Sequence, residues 1–274
     1  MQGSTELMPV PDLVVRLRIP PRLDADVIIV GAGPAGTAAA VHLIRAGWRV
    51  LLVDRHAFPR DKVCGDFVGP VALVELRRLG LNDRPDYRSS HCTWSAALHV
   101  DGREFIARPL PAHEGLPSYG RCIPRLMLDD WLMDAARQAG AAILENVTAI
   151  SYEAGHDSAS VQVKSKDGNR TLRARLVIGA DGSSSTISRQ LCGGPLPDGS
   201  RIIAARAYYE DYEGPADRAD LYFAGESFPG YYRLFPRVSL VAVNSSVAER
   251  RRRWRNVAMS SGSARIGDLS LRAL

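Results

Sequence analysis

The fold is decided by the stretch Val27-Ile28-Ile29-Val30-Gly31-Ala32-Gly33-Pro34-Ala35-Gly36, in which an apolar run passes into closely spaced glycines. This order predicts a buried strand, a tight turn and a helix of small residues over 34–46. Gly31 allows the turn, Gly33 lets a pyrophosphate approach the backbone, and Gly36 lets the helix pack closely on the strand. The free N–H groups at the start of that helix suit phosphates.

A carboxylate follows the next apolar run at the expected distance. A second strand is predicted over 48–53, and Asp54 stands directly after it, 23 residues beyond Gly31. A ribose-binding acid belongs at about this place in a dinucleotide-binding unit. The glycines alone are not specific, because glycine turns are common. Strand, turn, helix, strand and acid together predict a bound dinucleotide, with a purely structural βαβ unit as the alternative.

The composition argues against a membrane-spanning, a secreted and a metal-binding protein. The chain has 274 residues, of which 46% are hydrophobic, and it contains no apolar run near the ~20 residues that span a bilayer. We expect no secretory signal, and a loose extension over 1–22. The four cysteines show neither C-x-x-C spacing nor a companion histidine pattern, so we predict no metal site and no disulfide. The expected location is cytoplasmic, in a reducing environment.

The net charge of +5 is unevenly distributed. Residues 1–236 contain 27 Lys and Arg against 28 Asp and Glu, whereas residues 237–274 contain 8 against 2. The main body is therefore almost neutral overall and offers no support for a nucleic-acid surface.

Further elements follow from periodicity and turn signals. Helices are predicted over 71–79, 124–138 and 182–191, and a hairpin over 93–107 turns at Asp101-Gly102. Strands are predicted over 142–152, 160–164, 171–178, 201–209, 221–223, 231–235 and 239–244. An α/β lobe interrupted by β-rich segments indicates two interleaved lobes.

A second glycine turn, Gly179-Ala180-Asp181-Gly182, follows the apolar run Leu176-Val177-Ile178. Asp181 could accept hydrogen bonds from hydroxyls near a buried phosphate chain, and Gly182 permits close approach of the backbone. By itself this tetrapeptide is usually an ordinary turn. It becomes informative beside the first glycine turn.

These segments resemble the geranylgeranyl reductase family of flavoproteins, which is related to FAD monooxygenases of the aromatic-hydroxylase type. The stretch from Asp54 to Asp66, which contains Phe58-Pro59-Arg60-Asp61-Lys62-Val63-Cys64-Gly65, is similar to a family segment beside the flavin. Arg125 matches an arginine that contacts FAD, and the second turn with Ser185 and Arg189 matches a second FAD motif. Tyr231-Tyr232-Arg233-Leu234-Phe235-Pro236 resembles a substrate-lobe segment in which Arg233 replaces a tryptophan.

The resemblance implies FAD as the cofactor. Asp54 would bind the adenosine ribose, Arg125 and Asp181 the phosphate and ribityl portion, and Cys64 would lie near the isoalloxazine as a proton donor or a small apolar contact. Lys62 is either solvated or a flavin contact. The cofactor-binding set is Gly31, Gly33, Pro34, Ala35, Gly36, Asp54, Arg55, Lys62, Cys64, Gly65, Asp66, Arg125, Asp181 and Gly182, and the substrate set is Tyr231, Arg233 and Phe235.

The implied fold is α/β, a Rossmann-like FAD-binding domain of the glutathione-reductase type interleaved with a β-rich substrate domain. We assign residues 23–92 and 121–195 to the first and residues 93–120 and 196–245 to the second. Residues 246–274 are predicted to be a basic, disordered tail.

The family carries a third FAD segment beyond the Phe-Pro pair, and Gly267-Asp268-Leu269 resembles it only superficially. The arginine run Arg250-Arg251-Arg252-Arg253 fits three interpretations: a truncated or frameshifted end, a solvated end, or a surface for anionic lipid or nucleic acid.

The resemblance implies an FAD-dependent oxidoreductase that reduces double bonds of an isoprenoid through FADH2. NAD(P)H or an external donor would supply the electrons, and lipid substrates would imply peripheral membrane contact. The alternatives are an aromatic monooxygenase and, from another class, a truncated FAD-binding remnant without catalysis.

Overall fold

The computed structural model describes residues 23–195, 203–210, 214–224, 230–237, 240–247, 263–266 and 269–273. The predicted extension over 1–22, the arginine run over 250–253 and the Gly267-Asp268 pair lie outside the described residues. In the part of the chain that is described, no helix is both long and apolar enough to cross a membrane.

The elements in chain order are β1 (Val27–Val30), α1 (Pro34–Arg45), β2 (Val50–Val53), β3 (Phe67–Val68), α2 (Pro70–Arg78), α3 (Pro85–Ser89), β4 (His91–Thr93), β5 (Ser95–Val100), β6 (Arg103–Pro109), β7 (Gly120–Cys122), α4 (Arg125–Ala139), β8 (Ala142–Leu144), β9 (Thr148–Ala154), β10 (Ala159–Ser165), β11 (Gly168–Ala174), β12 (Leu176–Gly179), α5 (Thr186–Leu191), β13 (Ile203–Glu210), β14 (Arg218–Phe223), β15 (Tyr232–Arg237), β16 (Leu240–Val247), β17 (Ser263–Ile266) and β18 (Leu269–Ala273). A single 3-10 turn, Gly182–Ser184, precedes α5.

A parallel sheet in the order β12-β1-β2-β8 forms the centre of the first lobe. Both β1 and β2 are buried along their whole length, as expected of parallel strands covered on both faces. Val27 and Ile29 pack with α1, α2 and α4 on one face. Ile28 and Val30 pack on the other face against Val161 and neighbouring residues of the antiparallel sheet β11-β10-β9.

The second lobe is an eight-stranded sheet in the order β17-β18-β13-β16-β15-β14-β5-β6. Its strands pair antiparallel except for β14 and β5, which run parallel. A small sheet in the order β3-β7-β4 lies between the lobes, and Phe67 of β3 stacks on Phe235 of β15 with ring centroids 5.0 Å apart. The predicted interleaving of two lobes is therefore confirmed, because β5 and β6 join a sheet whose other strands all follow residue 200 in the chain.

Two long predicted strands are wrong because the chain changes sheet within each. The run 142–152 divides into β8 and β9 around Asn146, which has φ 58°. The run 171–178 divides at Arg175, where pairing passes from antiparallel with β10 to parallel with β1. Continuous apolar character cannot show such a change of partner.

The boundaries of other predicted elements differ from those in the structure. The predicted helix over 182–191 is a 3-10 turn followed by α5, and Thr93 belongs to β4 rather than to the hairpin. Short elements went unpredicted, namely α3, β3, β4 and β7. The prediction of a disordered tail over 246–274 is wrong in part. Within that range β17 and β18 pair with each other, and β18 also pairs with β13.

Candidate functional site

A cavity of about 280 Å³ opens at the carboxyl ends of β1, β2 and β12. Ligands of open α/β sheets bind at this edge. The predicted residues that line it are Gly31, Gly33, Pro34, Ala35, Asp54, Arg55, Lys62, Arg125, Asp181 and Gly182. The structure thus brings together residues from four separate stretches of the chain.

The first glycine turn is shaped by backbone contacts. Gly31 has φ +101°, and a Cβ there would lie 2.3 Å from the Ala180 carbonyl oxygen of the second glycine turn. A Cβ at Gly36 would lie 1.9 Å from the Gly31 carbonyl oxygen. Gly33 differs, because in the described part of the chain a Cβ there would meet only an Arg60 nitrogen, at 3.6 Å. Gly31 and Gly36 are therefore required by packing, whereas Gly33 leaves space for a ligand.

The N-terminus of α1 is suited to an anion. No side chain of a described residue caps it, and its first turn contains no acidic residue. The first N–H groups of a helix have no partners within the helix, and they carry the positive end of its dipole. Because these groups face the cavity beside Gly33, they can bind a phosphate.

Asp54 lies at the end of β2 with 7% of its surface exposed. Its Oδ2 accepts a 2.8 Å hydrogen bond from the Ala32 N–H, and its Oδ1 accepts a 2.9 Å bond from the His56 N–H. Each carboxylate oxygen can accept a further bond. Asp54 thus holds the glycine turn in place and retains acceptor capacity toward the cavity.

Arg60 and Arg125 converge on one buried carboxylate. Arg125 donates to Asp129 at 2.6 and 2.8 Å, and Arg60 forms an ion pair with Asp129 at 2.9 Å. Asp129 is fully buried. Burial favours a lower pKa for Arg125, but Asp129 and, to a lesser degree, the neighbouring Cys64 outweigh it and raise the pKa above its usual value. Arg125 therefore remains charged beside the cavity.

Sequence reasoning did not select Arg60 and Asp129. Arg60 stands within the segment that carries the family resemblance, and Asp129 is four residues after Arg125 on α4. A pair at this helical spacing is a usual sign of an ion pair, so the spacing was the signal that could have identified Asp129.

Asp181 caps the start of α5. Its Oδ2 accepts from the Thr186 N–H at 2.6 Å, and Ser185 donates its hydroxyl to Oδ1. The carboxylate also lines the cavity. Its predicted contact with the ribityl portion remains a prediction.

Asp66 connects the flavin-segment residues to the second lobe. It is 2% exposed and has φ 59°. Tyr208 of β13 donates its hydroxyl to Asp66 Oδ2 at 2.6 Å, and the Arg125 N–H donates to Oδ1 at 3.2 Å. Arg206, also in β13, forms ion pairs with Asp61 and Asp66. The segment over 61–66 is thus held between α4 and the eight-stranded sheet.

We expect Tyr208→Phe to lower the free energy of unfolding by about 1.5–3 kcal/mol, because a hydroxyl bond to a buried carboxylate is lost. Urea unfolding of the purified chain measures this. Tyr152→Phe is the control, since its hydroxyl makes no hydrogen bond with any described residue. Equal stability of the two variants would contradict the importance of this contact between the lobes.

The three predicted substrate residues lie on or directly before β15, an inner strand of the second lobe, and outside the cavity lining. Arg233 lies over the Tyr231 ring at 4.6 Å, and Tyr231 stacks on Phe223 at 5.3 Å. Phe235 is buried against Phe67. Burial lowers the pKa of Arg233, and Cys64 is close enough to oppose that shift. Cys64 is therefore close enough to influence the pKa of Arg125 in the first lobe and that of Arg233 in the second.

A larger cavity, of about 660 Å³, lies at the outer edge of β12. Its lining includes Trp48, Tyr152 and Leu176, and of the second glycine turn only Gly179. It contains none of the predicted cofactor residues. The smaller cavity is the candidate site because the charged and glycine residues converge there.

The residues present fit a dinucleotide. The turn leaves open space at Gly33, the α1 N-terminus is uncapped, and Arg60 Nε is buried without a hydrogen-bond partner among the described residues. The fold and the site together define a dinucleotide-binding protein of the Rossmann-like class. The family model described as "FAD binding domain" matches residues 24–220. The chain belongs to this FAD-binding family, and its cofactor is FAD.

The chain is also similar in sequence to reductases of known name. The chain is 35% identical over 224 residues to menaquinone reductase of Mycobacterium tuberculosis, covering 77% of this chain and 52% of that protein. It is 31% identical over 224 residues to digeranylgeranylglycerophospholipid reductase 1 of Methanopyrus kandleri, covering 78% and 55%. The chain thus spans about half the length of these relatives.

Solved structures show the same fold. The flavin-dependent halogenase CmlS superposes with a TM-score of 0.73 at 25% identity, over 85% of this chain and 43% of that chain. A geranylgeranyl bacteriochlorophyll reductase-like protein of Thermoplasma acidophilum gives 0.71 at 20% identity, over 85% and 59%. The predicted resemblance to geranylgeranyl reductases is confirmed by the named relatives, and FAD is confirmed as the cofactor by the family match.

Proposed function

We propose that this chain forms the FAD-binding part of an oxidoreductase that reduces double bonds of an isoprenoid substrate. The observation that supports this most directly is the position of the segment over 61–66. It continues from the FAD cavity to the apolar and aromatic face of the second lobe, where Phe67 stacks on Phe235. A hydrophobic substrate on that face would lie next to the cofactor.

The bound flavin would supply the electrons for reduction, and the chain's own residues would supply position and charge. The α1 N-terminus, Arg60 and Arg125 would bind the diphosphate, and Asp54 would accept hydrogen bonds from the adenosine ribose. Lys62 and Arg55 extend the cationic rim of the cavity. The four basic side chains offset the charge of a diphosphate in a partly desolvated site.

Cys64 and its neighbours Gly65 and Asp66 would lie beside the isoalloxazine. Gly65 has no side chain to obstruct a ring, and Asp66 fixes the backbone of the segment through its contacts to Tyr208 and Arg125. Cys64 Sγ would hold a proton near the reacting carbon or act as a small apolar contact. Electron supply would come from NAD(P)H or a separate reductase.

The proposal is tested on the purified chain. We expect a yellow preparation with near-unit flavin content that, after anaerobic photoreduction, is reoxidised by a geranylgeranyl or prenyl-quinone substrate. Two electrons and two protons should end on one double bond, so the isoprenoid tail, and not the quinone ring, should gain two hydrogens. Cys64→Ala separates the two roles of the thiol: a proton donor loses turnover, whereas an apolar contact does not. Reoxidation by oxygen with hydroxylation of an aromatic substrate would indicate the monooxygenase alternative. A colourless chain that does not take up FAD would indicate a non-catalytic remnant.

A further inference from the structure

A registered row of side chains crosses the second lobe from its edge to Arg233. Ile106 of β6 pairs with Leu98 of β5, Leu98 with Leu221 of β14, and Leu221 with Arg233 of β15. Directly paired residues share one face of a sheet. This row therefore runs from apolar side chains at the sheet edge to a guanidinium, over about 14 Å for three strand spacings.

The outer part of the row is exposed and apolar. Leu98 and Ile106 are each 37% exposed, and Val100 on the same face is 46% exposed. Phe223, which pairs with Val100, stacks on Tyr231 beside Arg233. Apolar surface of this kind, continuous from strand to strand, is typical of a binding site for an apolar ligand.

Arg233 differs from the other half-buried arginines of the same sheet. Arg206 pairs with Asp61 and Asp66, and Arg218 pairs with Glu104 and Asp220. Among the residues that the structure describes, no carboxylate pairs with Arg233, whose guanidinium group lies over the Tyr231 ring. A half-buried charge without a counter-ion costs free energy, and an anionic ligand would recover it.

We propose that Arg233 binds the anionic phosphate head of an isoprenoid substrate, whose tail lies along Leu221, Leu98 and Ile106. This inference rests on the proposed function and specifies its substrate class. A planar guanidinium binds phosphate oxygens in a bidentate manner, which a tryptophan at this position could not do. Phe67, which directly follows the segment over 61–66, stacks on Phe235, two residues after Arg233 in β15. The double bonds nearest the head would therefore be those presented to the segment over 61–66.

The test compares two ligands with the same tail. Geranylgeranyl diphosphate and geranylgeraniol are titrated calorimetrically into the FAD-loaded chain. We expect the diphosphate to bind about 10- to 100-fold more tightly, as for charge-assisted hydrogen bonds. Arg233→Leu should remove this difference while leaving the alcohol affinity unchanged, and Arg233→Lys should retain part of it. Arg170→Leu, at an exposed position in β11, is the control.

The possible outcomes distinguish the role of Arg233 from the proposed function of the whole site. Equal binding of both ligands to the unaltered chain overturns the role of Arg233 but leaves an isoprenoid-binding protein. Binding of neither ligand overturns the proposed function as well. A lower FAD content in Arg233→Leu, with the preference for diphosphate intact, would show that Arg233 serves the cofactor instead. Circular dichroism and FAD content show whether each variant is folded. If Arg233→Leu does not fold, the ligand preference of Arg233→Lys decides the question.

Discussion

Gly36→Ala should abolish both stable folding and FAD binding. The added methyl would lie 1.9 Å from the Gly31 carbonyl oxygen and 3.3 Å from Ala180 Cβ. The first contact is with backbone, so α1 would have to move away from β1, and the glycine turn would be distorted. Overpacking typically costs about 1–3 kcal/mol and occasionally more, and a 1.9 Å contact with backbone belongs at or above the upper end of this range. Urea unfolding and the flavin absorbance of the purified chain measure the two effects.

Two further glycine variants separate folding from binding. Gly47→Ala introduces a residue at φ +89° with nothing within 4 Å, so it should cost only about 1–2 kcal/mol of backbone strain and keep FAD. Gly33→Ala meets only Arg60 at 3.6 Å, so the chain should fold normally. The methyl would, however, occupy the space required for the pyrophosphate, and FAD content should fall. Full flavin content in Gly33→Ala would contradict the assignment of this turn to the phosphates.

Asp129→Asn should lower the free energy of unfolding by about 3–5 kcal/mol, because breaking a buried ion pair leaves uncompensated charge. Asp129 is 0% exposed and is the shared partner of Arg60 and Arg125. The amide keeps the shape of the side chain but loses the negative charge, and its NH2 group would face guanidinium donors. Urea unfolding of the FAD-free chain measures the loss without compensation from the cofactor's phosphates.

Asp130→Asn is the matched control one residue away. Burial and then the neighbouring Asp134 raise the pKa of Asp130 above its usual value. A raised carboxyl pKa stabilises the fold at low pH, and this stabilisation is lost as the pH rises through the folded-state pKa. Asp130→Asn should therefore be neutral or slightly stabilising at pH 7, with the difference vanishing in acid. A loss equal to that of Asp129→Asn would contradict the special role of the shared carboxylate.

The two sets of variants address different parts of the site. The glycines shape the surface against which the pyrophosphate would lie. Asp129 instead holds the guanidinium groups of Arg60 and Arg125 beside the cavity. The contacts described for Gly31, Gly36 and Asp129 involve neither Arg233 nor Tyr231. Cofactor binding should thus withstand changes at Arg233 or Tyr231, and substrate binding should not.

Sequence alone determined the first lobe as far as the order of β1, α1 and β2, with Asp54 after them. These elements are contiguous, and their hydrophobic period and glycine spacing are local properties. The family resemblance added the identity of the cofactor, FAD, and two further site residues, Arg125 and Asp181. Both residues line the cavity that Asp54 lines. Their contacts with the cofactor remain predictions, since local pattern fixes which residues are present and not which atoms they meet.

Only the tertiary structure decided which distant residues meet. The convergence of Arg60 and Arg125 on Asp129 depends on how α4 packs beside the segment after β2. The row from Ile106 to Arg233 depends on β14 pairing parallel with β5, across more than a hundred residues of chain. Such pairings are set by the summed burial of many side chains and by strand register, which no local pattern in the sequence contains.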